Sequence, residues 1–452
     1  MTRAFRFSSC WTRPRCRRCR EAILCRAADP WSSFMATMDT GAARVCAVGG
    51  AGRDAVSPRV APIGMNCQGL AVCRRVASLP MALVLTLLFA AMAGAEEERT
   101  WVEADGTVHV PAFDLPESAY LSRESRAAMK HFREVYGPEF GTFSRGCPNL
   151  GGDAEAARAA RDCVAKGYYG TSIYKDTLAK HPVEISAETI AGVYTEVFVP
   201  AKGIAEENVN RLLISVHGGG FTVGARYFSH TESMQVADRG RYRVISPDYR
   251  MAPEHTHPAA VLDVVAVYLA ALEDYEAANI GIYGCSAGAM LTAQTVAWLI
   301  EHDQPLPAAI GLFCAGMPMT DGAPGVFKMG RSESAYLVSA LSGNPRPLEP
   351  AEPPRARGYF EGVKAGDPVV APGDHDDILA RYPPTLLISG TRDFALGAVL
   401  ASHARLVRLG VDADLHVWEG LGHATFAFNP RLPESDEVHD VIARFFDRHL
   451  AR

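Results

Sequence analysis

Residues 1–95 contain no lysine and only four acidic residues against thirteen arginines, so this stretch carries +9 while residues 96–452 carry −15. The formal net charge of −6 is therefore an average over two unlike parts. Cysteine is scarce in the second part, with only Cys147, Cys163, Cys285 and Cys314, which excludes a disulfide scaffold. The other seven fall in residues 1–95, where Cys16-x-x-Cys19 has no second CxxC or HxxxH at zinc-finger spacing, so no metal is expected. No internal repeat and no basic patch interleaved with aromatics occurs, and an acidic 96–452 argues against nucleic acid or anionic membrane surfaces as partners. A 48% hydrophobic, 21% charged composition excludes wholesale disorder. At 452 residues the chain exceeds one average domain and suits a single large α/β core with a leader or a cap.

The leader has an organisation of its own. Arg74 and Arg75 precede 20 uncharged residues, 76–95, which end in Ala93-Gly94-Ala95 and meet Glu96-Glu97-Glu98 at once. A positive region, an apolar run and small residues at a cleavage point resemble a secretory signal peptide over 65–95. The expectation is cleavage after Ala95, with Met65 as the natural start, 1–64 disordered or upstream of it, and export to the periplasm or medium. Twenty uncharged residues could also span a bilayer if left uncleaved; without the run, no stable membrane anchor is expected.

Residues 96–190 read as a helical N-terminal cap region: Leu121, Ala128, Met129, Phe132 and Val135 fall near helical spacing, and 153–166 is Ala-rich behind a capping Asp153. From 191 onward apolar strands at 193–199, 212–216, 243–247, 280–283, 309–313, 385–389 and 413–417 alternate with helical runs at 259–272, 287–301, 398–409 and 434–450. That alternation predicts an α/β fold with a mostly parallel central sheet flanked by helices, whose ligands bind at the carboxyl ends of the strands. Residues 320–382, rich in Pro and Gly, break the rhythm and read as a lid or insert.

Gly284-Cys285-Ser286-Ala287-Gly288 lies between a predicted strand and a predicted helix, the setting in which a serine can occupy a strained, exposed turn. His217-Gly218-Gly219-Gly220-Phe221 follows the strand 212–216, and backbone N–H groups of Gly218, Gly219 and Gly220, with that of Ala287, are candidates to face a developing oxyanion. Which glycines donate stays open. In the chain order serine, acid, histidine, His423 in the Gly-flanked loop EGLGHATF is the candidate base, whereas His403, His416, His439 and His449 fall inside helices or strands. Asp393, just past the strand 385–389, is the candidate acid ahead of Asp367 and Asp412. Acyl transfer from Ser286, with His423 moving the proton and Asp393 orienting the imidazole, is the chemistry this set can perform.

HGGGF, then Asp248-Tyr249-Arg250-Met251-Ala252-Pro253-Glu254, then GxSAG, Asp393 and His423, in that order, resemble the hormone-sensitive-lipase-like branch of the α/β-hydrolases, the bacterial family IV esterases. The resemblance covers about residues 190–450. It implies an eight-stranded, mostly parallel sheet under a cap formed by 96–190 and 320–382. It also implies a serine carboxylesterase acting on small-molecule esters of short to medium acyl chain, without a cofactor or metal. Arg250 and Glu254 are structural in that family. The chain departs from it at Cys285, where Asp is usual. An amidase or formamidase with the same triad, or a non-catalytic ligand-binding protein on the same fold, remain alternatives.

Four weaker signals accompany these. Cys147 and Cys163 could pair in an oxidising compartment; His255-x-His257 and Asp374-His375-Asp376 resemble fragments of metal sites but lack further ligands at a recognisable spacing. Tyr168, Tyr169 and Tyr174 could line a pocket or simply pack.

Overall fold

The computed structural model describes residues 100–106, 108–109, 116–148, 154–317, 358–364 and 366–451. The leader 1–95 and residues 320–357 of the expected insert lie outside them. The chain divides into two units, Met1–Pro111 and Ala112–Arg452. In the first, the strands Trp101–Val102 and Val108–His109 pair antiparallel, and Trp101 stacks on His109 at 3.8 Å.

The second unit is built on one eight-stranded sheet: β1 Val183–Ile190, β2 Val193–Pro200, β3 Leu212–Val216, β4 Arg243–Pro247, β5 Ile280–Cys285, β6 Ala309–Phe313, β7 Thr385–Arg392 and β8 Ala413–Gly422. Its spatial order is β8-β7-β6-β5-β3-β4-β2-β1. β1 pairs antiparallel with β2 and β2 with β4, while every other pairing is parallel. The mostly parallel central sheet expected from the alternation of strands and helices is therefore present, with the eight strands that the family resemblance implies.

Among the described residues, helices of eight residues or more are α1 Arg123–His131, α2 Ala154–Tyr169, α3 Ser172–Lys180, α4 Phe228–Gly240, α5 Ala259–Ala271, α6 Ala287–Glu301, α7 Leu396–Arg408 and α8 Pro433–His449. Strand residues alternate between two hydrophobic clusters, one on each face of the sheet. Leu212, Ile214, Val216, Ile280 and Ile282 join α5, α6 and α7; Leu213, Val244, Tyr283 and Cys285 join α4 and α8. Period-two alternation of buried side chains is what a sheet covered on both faces requires.

Two boundaries differ from those expected. β1 lies inside 96–190, the stretch read as helical, so the core begins before 191. Its sequence VEISAETI gives no apolar run because the strand is at the sheet edge and mostly exposed; its partner is fixed by the two-residue turn Ala191-Gly192, both at positive φ. At the other boundary, the described end of the expected insert is core: Ile378, Leu379 and Tyr382 belong to the cluster around α6, and the Tyr382 hydroxyl donates to Ala293 O at 2.8 Å. The N-terminal helices are present, α1 capped by Ser122 and α3 by Thr171 through side-chain oxygens that accept N–H groups of the first turn. Cys147 and Cys163 form a disulfide, with Cα atoms 5.6 Å apart.

Candidate active site

β5 runs into α6 through Ser286, which holds φ 56° and ψ −120°, a backbone conformation strained for a residue with a side chain. The flanking glycines are obligatory for steric reasons. A Cβ on Gly288 would lie 1.8 Å from Val216 O, and one on Gly284 would lie 2.3 Å from the carbonyl carbon of Gly288. The turn can thus be this tight only with hydrogen at both positions, and tightness is what lifts Ser286 to the carboxyl end of the sheet.

His423 follows β8 and Asp393 follows β7, so the parallel neighbours deliver both side chains to the same end of the sheet. His423 Nε2 lies 3.0 Å from Ser286 Oγ, and His423 Nδ1 lies 2.8 Å from Asp393 Oδ1. Asp393 is fully buried and also accepts the Ala395 N–H at 2.9 Å and the Ser389 hydroxyl at 3.0 Å. Burial alone would raise its carboxyl pKa, but the adjacent His423 and these donors hold it below the usual carboxylate value. The Phe394 ring stacks on His423 at 4.2 Å and restricts the imidazole from one face.

The other histidines and acids weighed from the sequence are engaged elsewhere. His403 Nε2 contacts Ala413 O, His416 stacks on Trp418, and His449 faces Asp412. His439 donates from Nδ1 to Ser435 O inside α8, where burial pushes its pKa down to about 3. Asp367 accepts the Val369 N–H.

The glycine loop after β3 is pressed against Ser286: a Cβ on Gly218 would sit 3.5 Å from Ser286 Cβ. Gly219 and Gly220 hold φ of +116° and +61°, and a Cβ on Gly219 would lie 2.0 Å from Val223 O. Among the described residues no acceptor takes the N–H groups of Gly219, Gly220 or Ala287. Gly218 is different. Its N–H donates to both carboxyl oxygens of Glu232, at 3.3 and 3.2 Å, which removes Gly218 from the four candidate oxyanion donors. Glu232 lies in α4, a helix without an apolar stripe in its sequence: residues 229–238 are buried all round, yet most of them are polar, so no helical hydrophobic period marks it.

Arg161 is the other residue that sequence reasoning missed. From α2 its guanidinium donates to Thr222 O at 2.8 Å, to Ala252 O at 2.8 Å, and to both carboxylate oxygens of Glu254 at 2.5 and 2.6 Å. One N-terminal helix thereby ties the glycine loop to the Asp248–Glu254 segment. Glu254 and Arg250, which pairs with Asp263 at 2.8 Å, serve as framework. Nothing in an Ala-rich amphipathic helix distinguishes such an arginine from a solvated one.

Tyr168, Tyr169 and Tyr174 pack rather than line the site: their hydroxyls meet Thr231, Arg226 O and His230 Nδ1. Asp376 pairs with Arg405 and Arg408 at the surface, and His257 packs against Tyr359 and Phe360. Among the described residues the group of metal-ligating atoms that converges is Cys314 with Asp393 and His423, and His255, His257, Asp374 and Asp376 do not join it.

Residues 213–427 match a family described as having an α/β-hydrolase fold. The chain is similar to an esterase of Acinetobacter venetianus, 24% identical over 243 residues, covering 53% of this chain and 76% of that one. It is also similar to an acetyl-hydrolase of Streptomyces hygroscopicus, 28% identical over 237 residues, covering 52% and 75%. Among solved structures, an esterase, E25, superposes with a TM-score of 0.62 at 28% identity, covering 76% of this chain and 99% of that one. An esterase of the bacterial hormone-sensitive lipase family, 24% identical, shares the fold with a TM-score of 0.55 over 73% of this chain and 99% of its own.

Proposed function

We propose that this chain, an α/β-hydrolase of the hormone-sensitive-lipase-like branch and a carboxylic ester hydrolase, cleaves small-molecule esters of short to medium acyl chain through Ser286. The observation that carries this reading is the bridging imidazole, with Nε2 3.0 Å from Ser286 Oγ and Nδ1 2.8 Å from Asp393. Both contacts are within hydrogen-bond reach, the geometric condition for a general base.

In the proposed reaction Ser286 Oγ attacks the ester carbonyl while His423 Nε2 takes its proton. The negative charge moves onto the carbonyl oxygen, facing the N–H groups of Gly219, Gly220 and Ala287. Removing one such donor costs about 3–4 kcal/mol in comparable sites. Collapse of the tetrahedral intermediate breaks the carbon–oxygen bond, and His423 returns the proton to the leaving alcohol. Water, deprotonated by the same imidazole, then attacks the acyl-Ser286 ester and releases the acid. Asp393, held below the usual carboxylate range, stays ionised and stabilises the imidazolium. A preference for short chains is supported by the acetyl-hydrolase relative. Export is supported by the signal-like segment 65–95 and the Cys147–Cys163 disulfide, since disulfides persist in oxidising compartments.

The test is hydrolysis of p-nitrophenyl esters from acetate to laurate by the wild type and Ser286→Ala. Turnover greatest between acetate and octanoate and abolished in Ser286→Ala is expected. Undiminished turnover in the variant, or saturable binding without hydrolysis across the panel, would overturn the reading; faster cleavage of matched amides would replace the ester by an amide bond.

A further inference from the structure

We infer that Glu232 is a positioning residue for the oxyanion loop: its carboxyl group holds the N–H of Gly218 and so aims the N–H groups of Gly219 and Gly220 at the carbonyl oxygen bound at Ser286. The inference rests on the esterase reading above.

The peptide joining His217 to Gly218 is gripped at both ends. Its carbonyl oxygen, His217 O, accepts the Tyr249 hydroxyl at 2.7 Å, and its N–H donates to Glu232 at 3.2 and 3.3 Å. The Tyr249 ring stacks on the His217 imidazole at 4.1 Å, so the residue before the loop is held by its ring as well. Fixing a peptide at its C=O and its N–H fixes its plane, and that plane sets the direction in which the chain leaves toward Gly219. Downstream, the N–H groups of Thr222 and Val223 both donate to Gly219 O at 3.2 Å, closing the loop against itself. The grip lies directly behind the nucleophile: the point where a Gly218 Cβ would stand is 2.9 Å from Cys285 O, 3.1 Å from Glu232 Oε1 and 3.5 Å from Ser286 Cβ.

The chemistry of Glu232 suits this task. It is buried, and among the described residues its carboxyl forms no ion pair and has Gly218 as its hydrogen-bond partner. A carboxyl group without a cation is costly to bury, and burial pushes its pKa well above the ordinary glutamate value. A carboxyl oxygen accepts the Gly218 N–H through a lone pair whether or not the group carries its proton.

The experiment compares kcat and KM for p-nitrophenyl butyrate in the wild type, Glu232→Gln and Glu232→Met, with active sites counted by a fluorescent alkylphosphonate. Glutamine keeps a carbonyl acceptor of the same shape, whereas methionine keeps the volume and removes the acceptor. Expected are a kcat about 10- to 100-fold lower for Glu232→Met with KM within about twofold, because a small misplacement of donors is felt in the transition state. Glu232→Gln is expected to stay within about threefold of wild type, as a carbonyl oxygen still accepts the Gly218 N–H. If Glu232→Met does not fold, Tyr249→Phe, which frees the other end of the same peptide, is expected to give the same split between kcat and KM. A wild-type kcat in Glu232→Met, or an equal loss in Glu232→Gln, overturns the inference alone. Absence of turnover in the wild type strikes the esterase reading itself.

Discussion

The alpha carbon of Gly288 packs so closely on Val216 that a methyl group there would lie 1.8 Å from the Val216 carbonyl oxygen. This contact ties the first turn of α6 to the end of β3, the strand that also launches the glycine loop. Ser286 and the glycine loop, the proposed nucleophile and oxyanion donors, are therefore held together by a steric contact between two elements.

Gly288→Ala should lose nearly all turnover. The overlap cannot be relieved by side-chain rotation, because the obstacle is backbone, so the turn carrying Ser286 must open. Phosphonate labelling of Ser286 in a variant that still folds by circular dichroism is the measurement; labelling at the wild-type rate would contradict the steric account.

Asp393→Asn should leave the fold intact and lower kcat by about four orders of magnitude, as in triads where the buried acid is made neutral. The asparagine amide can donate to His423 Nδ1 and so favour the tautomer with the proton on Nε2, facing Ser286 Oγ, where it cannot act as base. Rates measured to pH 9 should not recover, since the tautomer and not the protonation state is wrong.

Arg161→Lys should destabilise the protein by about 1–3 kcal/mol, the usual cost of leaving a buried hydrogen-bond acceptor unpaired. A single ammonium cannot reproduce the fork that meets Thr222 O, Ala252 O and both oxygens of Glu254. Urea denaturation gives the stability, and KM and kcat should both worsen as the glycine loop loses its anchor.

Replacing Cys147 and Cys163 together by alanine should cost about 3 kcal/mol, the chain-entropy value for closing a loop of this length. The pair is separated by 16 positions. Denaturation midpoints with and without reductant should move for the wild type and not for the variant.

Stability should fall on acidification from about pH 6.5, well above the carboxylate range. Burial pushes the pKa of His439 down to about 3 and that of His217 down to about 4. Both are neutral in the folded protein at pH 5.5 while the unfolded chain binds a proton at each, so stability is complete above the unfolded value and is lost as pH falls through it. At pH 5.5 each histidine costs about 1.4 kcal/mol by linkage. A His439→Gln variant should show a shallower acid slope in urea titrations between pH 7 and 5; an unchanged slope would count against burial as the cause.

The order of strands, the glycine-flanked serine and the loop histidine were legible because each rests on local pattern. Apolar runs marked seven of the eight strands. β1 escaped because an exposed edge strand buries too little to need an apolar run. The end of the expected insert was misassigned for a related reason: Ile378, Leu379 and Tyr382 are separated by Pro-rich sequence from the helix they pack on, and short packed turns carry no period.

By itself the sequence determined which residue types could do acyl chemistry and in what chain order, since a strained turn demands glycines and a triad demands three side chains of given kinds. Only the tertiary structure decided which amide of the glycine loop is taken by a side chain and which are left without an acceptor among the described residues. Gly218, Gly219 and Gly220 are chemically identical, and what separates them is a carboxyl group from α4, 14 positions away, and an arginine from α2, 61 positions away from the carbonyl it holds. Hydrogen-bond direction is a property of three-dimensional neighbours, and no local pattern encodes it.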